Sequence, residues 1–328
     1  GLGFISQISH LKCIKKNPHV SIESICDKNK ILLNQISKKY KIKKKFTSYA
    51  KMINDNRLDG IVLCVDRANT EKLSKFILQN KINLLTEKPS ALSSKSAKKL
   101  SNLAIKNRCI YLTGYMKRHD KSIQEFKDKL NKKNLGNLKS IHYEHFSGDS
   151  YGKQTNYFKS RSVSEIKKNT LNKKFTDRKN NFLKFLNTHC HTINLLRFLI
   201  GNYYLKKSFL NSSGEGKILF IKNKIQIVLE NKYLKSKKWH ENLVFIYENG
   251  KAKLKVIKPF TKKSSTFKII KFKKKKIIKN LYKNSWAFQN QIDYFVKLLK
   301  MKKNKKKCEI FSVDSSKDIS IIEKIFNY

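Results

Sequence analysis

Three groups of residues have the types and spacing to do chemistry. The chain opens Gly1-Leu2-Gly3-Phe4-Ile5-Ser6, a G-x-G-x-x-S turn. Its two glycines let the backbone turn tightly and approach a pyrophosphate at a helix N-terminus formed by Phe4 and Ile5, and the small Ser6 permits close helix–strand packing. About 20 residues on, Asp27 ends a strand-like run, where an acid accepts hydrogen bonds from adenosine ribose hydroxyls. A carboxylate there repels a 2′-phosphate and favours NAD, with NADP kept open by the neighbouring Lys28. The second group, Thr86-Glu87-Lys88-Pro89, follows the apolar residues 82–85. At the carboxyl end of a strand in a doubly wound sheet, Glu87 and Lys88 overlook the ligand crevice and are expected among the cofactor-binding residues, and a lysine ammonium there stabilises a developing alkoxide. The third is Asn187, His191 and Asn194, which at i, i+4 and i+7 share one helix face with an imidazole at its centre, suited to acid–base work near neutrality. Each group has a plainer alternative: an ordinary turn and a helix cap, a solvated surface lysine, and a satisfied interhelix histidine. His189-Cys190-His191 is a poor zinc site, because i and i+2 point to different sides of a helix, and no metal is expected.

The elements needed to position these residues are legible in the hydrophobic pattern. Strands are expected at 21–26, 60–65, 82–85 and 109–113, separated by helices at 30–40, 48–54, 71–80 and 94–107. This alternation is that of a parallel sheet with crossover helices. The strand that should precede the glycine turn is absent, so the first strand of this domain is expected to be missing. Beyond Tyr115 the pattern changes to a helix at 121–130, a strand at 138–146, a polar loop over 148–181 and a helix over 182–200 closed by Gly201. Strands at 217–221, 225–229, 243–247, 253–257 and 267–272 follow, with Glu248-Asn249-Gly250 as a hairpin in which Asn and Gly both take positive φ. Helices at 286–299 and 315–326, the latter capped by Asp314, end the chain. The fold class expected is an α/β Rossmann domain over residues 1–118, plus an α+β C-terminal domain over 119–328 with a largely antiparallel open sheet for substrate binding and oligomerisation.

Composition excludes several alternatives. The 328 residues carry 74 basic against 23 acidic side chains, a formal charge of +51, yet 67 of the basic residues are Lys and only seven Arg. Base reading and bidentate phosphate gripping favour Arg. The lysines are spread through every segment alongside abundant Asn and Ile, which share A/T-rich codons, so codon bias accounts for the charge without a nucleic-acid partner. The densest runs, 273–276 and 302–307, read as a solvated hairpin or strand edge and a loop before the last helix. No apolar run reaches the 18 or so residues of a membrane helix. Six scattered cysteines without a CxxC pair read as small buried hydrophobes, and with no secretory or lipidation signal a cytoplasmic setting is expected.

Taken in order, the Gly1/Gly3/Ser6 turn, Asp27, Asp59-Gly60-Ile61-Val62-Leu63, Thr86-Glu87-Lys88-Pro89, Gly114-Tyr115-Met116-Lys117-Arg118 and the His191 helix ending at Gly201 resemble the Gfo/Idh/MocA family of NAD(P)-dependent oxidoreductases over nearly the whole chain. The resemblance implies hydride transfer between nicotinamide and a secondary alcohol of a sugar, cyclitol or nucleotide-sugar, in a homodimer or homotetramer. It implies His191 as general base, Lys88 as the group that binds and polarises the same oxygen, and Arg118 near the substrate. The family pattern has acids where this chain has Asn187 and Asn194; Asn orients a hydroxyl but does not ionise. Relatives commonly have a Thr-Pro turn where Cys64-Val65-Asp66-Arg67 stands here. These departures motivate an alternative, a non-catalytic relative that binds cofactor or ligand or serves as a structural subunit.

Overall fold

The computed structural model describes residues 1–131, 135–149, 157–159, 177–272, 277–279, 285–301 and 305–327. They fall into two compact units. The first comprises Gly1–Gly114, the described residues 157–159 and Gln291–Ile319, and the second is built mainly on Tyr115 to 149 and Asp177–Asn290, with Ser320 onward.

In the first unit the chain turns helical at Phe4. Residues Ser6–His10 are π-helical and run directly into α1 (Leu11–Lys16). Then follow β1 (Ser24–Cys26), α2 (Lys30–Tyr40), β2 (Lys44–Phe46), α3 (Tyr49–Asn54), β3 (Gly60–Leu63), α4 (Arg67–Gln79), β4 (Asn83–Thr86), α5 (Ser94–Lys106) and β5 (Tyr111–Thr113). All pairing is parallel, in a β1-β2 sheet and a β3-β4-β5 sheet. Helix starts are set by short polar side chains: Asn29, Ser48, Asp66 and Ser93 each accept a backbone N–H from the first turn of the helix that follows. Each of the four residues of β4 is buried, as expected of a central parallel strand covered on both faces. Leu2, Leu11, Ile25, Leu32, Leu33, Ile36 and Ile42 form a core around the turn at the start of the chain. The strand β2 was not expected from the sequence; with three residues, two of them exposed lysines, it has no apolar period to read.

The second unit begins with a 3-10 turn, Met116–His119, and α6 (Lys121–Asn131), then β6 (Leu138–Ser147), α7 (Asp177–Ile200), β7 (Tyr204–Leu210), β8 (Gly216–Lys222), β9 (Ile225–Tyr233), β10 (Trp239–Tyr247), β11 (Gly250–Lys255), β12 (Thr266–Lys271) and β13 (Ile277–Lys279). The sheet order is β13-β12-β11-β10-β6-β9-β8-β7, antiparallel except for the parallel β6–β9 pair. Strand alternation buries one face: Ile141 and Tyr143 of β6, Ile227 and Leu229 of β9, Leu243 and Phe245 of β10. Phe126 of α6 lies against Phe245 and Phe267 on that face. Gly201, at φ +81°, ends α7 in the left-handed conformation that glycine adopts without cost, with its N–H on the Arg197 carbonyl.

Helices α8 (Ala287–Lys300) and α9 (Lys305–Ile325) end the chain, and here the structure corrects the sequence reading. Asp314 is not an N-cap. It lies inside α9, which begins at Lys305 because residues 305–314 contain neither Gly nor Pro to stop a helix, so the lysines at 305–307 are helical rather than loop. The hairpin between β10 and β11 forms, but for another reason than expected. Its two loop residues are Glu248 and Asn249, neither at positive φ, while Gly250 opens β11, where a Cβ would lie 2.4 Å from the Ile270 carbonyl oxygen. The glycine serves close strand approach, not turn geometry. The polar stretch 148–181 yields α7 from Asp177 onward, and its remainder lies largely outside the described residues, as does the lysine run 273–276. Among the described residues, no helix is long and apolar enough to cross a membrane.

Candidate active site

In the first unit, Gly1 and Gly3 face different surroundings. A Cβ on Gly1 would lie 2.2 Å from the Cys64 carbonyl oxygen at the end of β3, so the backbone passes there only without a side chain, whereas a Cβ on Gly3 meets nothing within 4 Å. Open space therefore lies beside Gly3, where the helix starts at Phe4 and Ile5. The half-buried Asp27 carboxylate closes the turn from the other side: Oδ2 accepts the Leu2 N–H at 2.7 Å and Oδ1 the Asn29 N–H at 2.9 Å. Each oxygen has a further lone pair for a diol. Glycine cradle, helix start and strand-end carboxylate fit a dinucleotide.

Lys88 lies one residue beyond Glu87, which follows β4, and is half-buried, joined to Pro89 by a cis peptide. The Glu87 N–H is bonded to the Leu63 carbonyl at 2.9 Å, and the Glu87 carboxylate accepts the Lys88 N–H at 3.2 Å. The same carboxylate pairs with His10 Nε2 at 2.7 Å. Burial opposes charge on this imidazole, but the Cys64 side chain and Glu87 outweigh it and push His10 up to about 10.

In the second unit, α7 presents Asn187 and His191 half-buried and Asn194 fully buried on one face. Arg118, from the 3-10 turn, donates Nε–H to Asn194 Oδ1 at 2.6 Å, and its guanidinium lies 5.1 Å from the Phe198 ring centre. Tyr115 sets its ring edge-on to His191 at 5.8 Å. The unit thus gathers Arg118, Asn187, His191 and Asn194, while Gly1, Gly3, Phe4, Ile5, Asp27, Glu87 and Lys88 belong to the other. His189 points elsewhere, to His145 and Tyr233, as the i, i+2 argument anticipates.

Beneath this face lies a buried polar network that the sequence reading missed. Lys117 Nζ donates to Glu241 Oε1 at 2.5 Å, Tyr143 donates to the same oxygen at 2.6 Å, and Trp239 Nε1 donates to Oε2 at 3.2 Å. His145 Nδ1 is 2.5 Å from Thr192 Oγ1 and 3.2 Å from His189 Nδ1. The same alternation that places Leu243 opposite Tyr143 places Glu241 opposite His145 on the buried face. His10 was missed as well, and the only signal for it was its place in the helix that starts at the glycine turn.

Burial, reinforced by nearby positive charge, holds His145 and His189 well below the ordinary histidine range. Both stay neutral in the folded state when the unfolded chain already takes up protons, so their contribution to stability is level above pH ~6.5 and falls below it, by about 1.4 kcal/mol per pH unit for each imidazole. His10 has the opposite sign: its contribution is complete below pH ~6.5 and is lost as pH rises towards 10. Thermal melts between pH 5 and 9 followed by Trp fluorescence should show acid loss in the second unit, where both tryptophans lie; an acid-independent melt would refute neutral burial of the pair.

A parallel α/β unit with this glycine cradle and strand-end acid, followed by a helix-backed and largely antiparallel sheet, is the architecture of NAD(P)-dependent oxidoreductases. Residues 1–115 match the Gfo/Idh/MocA family model, described as oxidoreductase family, NAD-binding Rossmann fold. Solved structures share the fold across the whole chain. KijD10, a 3-ketoreductase from Actinomadura kijaniata in complex with NADP and TDP-benzene, superposes with TM-score 0.76 at 12% identity, covering 99% of this chain and 94% of that one. The dehydrogenase MviM from Clostridium difficile gives 0.75 at 15% identity, covering 100% and 97%. An oxidoreductase from Agrobacterium radiobacter in complex with NAD+, L-tartaric acid and magnesium gives 0.74 at 14%, covering 100% and 94%. No curated protein matches the sequence.

Proposed function

We propose that the protein transfers hydride between a nicotinamide cofactor, NAD in preference to NADP, and a secondary alcohol of a sugar, cyclitol or nucleotide-sugar. The observation that carries this reading is Lys88, two residues beyond the end of the buried strand β4, with its backbone N–H fixed by Glu87. The turn at Gly1 and Gly3, the helix start at Phe4 and Ile5, and Asp27 would hold the cofactor, which when bound supplies the hydride acceptor or donor. Lys88 binds the substrate oxygen and stabilises alkoxide charge as its proton leaves. His191 takes that proton, and returns it in the reverse direction. Asn187 orients a neighbouring hydroxyl. Arg118, fixed by Asn194 and Phe198, presents a fixed cation suited to a polar or phosphorylated part of the substrate. KijD10, in complex with a TDP compound, supports the nucleotide-sugar end of this range.

A second reading, a cofactor-binding relative without turnover, draws on Asn194, which is un-ionisable and engaged by Arg118. One experiment separates the two. The full-length chain and its Asp27→Ala variant are titrated with NADH and NADPH by fluorescence, and oxidised cofactor is then incubated with sugars, cyclitols and UDP- or TDP-sugars. Binding with turnover is expected, with NADH affinity roughly tenfold weaker in Asp27→Ala, about 1.4 kcal/mol. Binding without turnover supports the second reading, and binding of neither cofactor rejects both. Equal NADH affinity in the variant removes the ribose role of Asp27.

A further inference from the structure

His10 is buried, and none of the roles above uses it. It ends the π-helical stretch Ser6–His10, in which the Leu11 N–H bonds the Ser6 carbonyl five residues back. That one-residue widening of the helix turns the side chains that follow it relative to a regular α-helix. His10 leaves the stretch directed at Glu87, 77 residues away in sequence, with Nε2 at 2.7 Å from Oε1. The other carboxylate oxygen accepts the Lys88 N–H, so one side chain is divided between the first helix and the backbone of the reacting lysine. Glu87 is confined from two further directions. Its own N–H is held by Leu63, and Gly114 leaves it the room that a Cβ, 3.2 Å from the carboxylate, would take.

We propose that His10 is a positioning residue for Lys88: through Glu87 it fixes the backbone that carries the lysine and ties it to the helix that begins at the Gly1/Gly3 turn. The inference rests on the reading of Lys88 as the group that binds the substrate oxygen. A charge-assisted hydrogen bond in a low-dielectric setting gives the carboxylate one orientation, and with Oε1 released the side chain is free to rotate and Oε2 no longer has to face the Lys88 N–H. The imidazole is suited to the task because the Glu87 carboxylate, 2.7 Å from Nε2, favours its protonated form.

The test uses the full-length chain with His10→Ala, His10→Gln and Glu87→Gln. Competitive acylation with acetic anhydride, read peptide by peptide in a mass spectrometer, gives the reactivity of Lys88 against the other lysines as internal standards. Release of the loop should raise Lys88 labelling in His10→Ala roughly fivefold. With a turned-over substrate, kcat should fall roughly tenfold while KM and NADH affinity stay within about twofold. The Gln variant, whose amide N–H reaches the same carboxylate, should restore both. Unchanged or reduced Lys88 labelling in His10→Ala, or a loss that Gln does not restore, overturns the proposal. Should His10→Ala fail to fold, Glu87→Gln is read by the same labelling, since it keeps the shape and removes the charge. Labelling does not depend on turnover, so a chain that oxidises no sugar refutes the catalytic reading while this measurement still decides the role of His10.

Discussion

Replacing Lys88 or His191 by Ala should each lower kcat/KM by about 10²–10⁴-fold while leaving NADH affinity within a few fold. The asymmetry between chemistry and binding follows from where the two side chains sit in the sequence and fold. Neither belongs to the glycine turn, the helix start or the Asp27 carboxylate, which carry most of the cofactor contacts in this reading. Lys88 would act on charge that develops only as the hydroxyl proton leaves, so its removal falls on the transition state more than on the bound substrate. Lys88→Arg should not rescue it, because a planar guanidinium places its charge differently and stays protonated. For His191 the diagnostic is the pH profile: the unaltered chain should lose activity as the imidazole protonates on the acid side, and the residual activity of His191→Ala should lack that limb. Stationary kinetics that show either variant within a few fold of the unaltered chain would remove the assignment of that residue, and both together would remove the active site proposed above.

Most of the first unit was legible in the sequence because its strands and helices alternate with clean period changes and short polar caps. The helix 30–40 was read at its observed bounds, since Asn29 caps it and Leu32, Leu33 and Ile36 supply its apolar stripe. In the second unit most strands were found, but several were cut short or shifted by one to three residues. Strand β10 was read from 243 and begins at Trp239, because the inward position that precedes Leu243 is Glu241, and a charged residue facing the core breaks the apolar alternation. Strand β9 was cut at 229 for the same reason, with Asn231 as its next inward residue. Strand β7 was missed altogether: it is an edge strand with Tyr204 and Phe209 exposed and paired lysines at 206 and 207, so no face of it repeats. The candidate residues themselves were readable wherever a backbone demand fixed their type, as with the glycines or Gly201. His10 and Glu241 were not, because a buried polar residue is marked only by its partners, and those partners are 77 and 124 residues away.

Removal of the Glu241 carboxylate is where the second unit should be most fragile. The side chain is completely buried, and three donors converge on it: the Lys117 ammonium, the Tyr143 hydroxyl and the Trp239 indole. Burial, together with the adjacent carboxylate, pushes the Tyr143 phenol well above its ordinary value, so it remains a donor at any accessible pH. Glu241→Ala leaves an ammonium in a low-dielectric interior with its partner gone, and breaking a buried pair in this one-sided way costs about 3–5 kcal/mol. For a unit of this size that lowers Tm by roughly 6–20 °C. Lys117→Met combined with Glu241→Leu should recover much of the loss, because deleting both charges removes the desolvation penalty that a single deletion leaves behind. The exposed pair of Lys139 with Glu248, only 2.6 Å apart, is the internal control: Glu248→Ala also loses the exposed Asn137 contacts, yet should lower Tm by far less than Glu241→Ala, since water replaces what these solvated groups lose. Differential scanning calorimetry of the four proteins decides the matter. A Glu241→Ala melt that coincides with the Glu248→Ala melt would mean that Lys117 finds another counter-charge or reaches water, and that the network is not what holds the inner face of the sheet together.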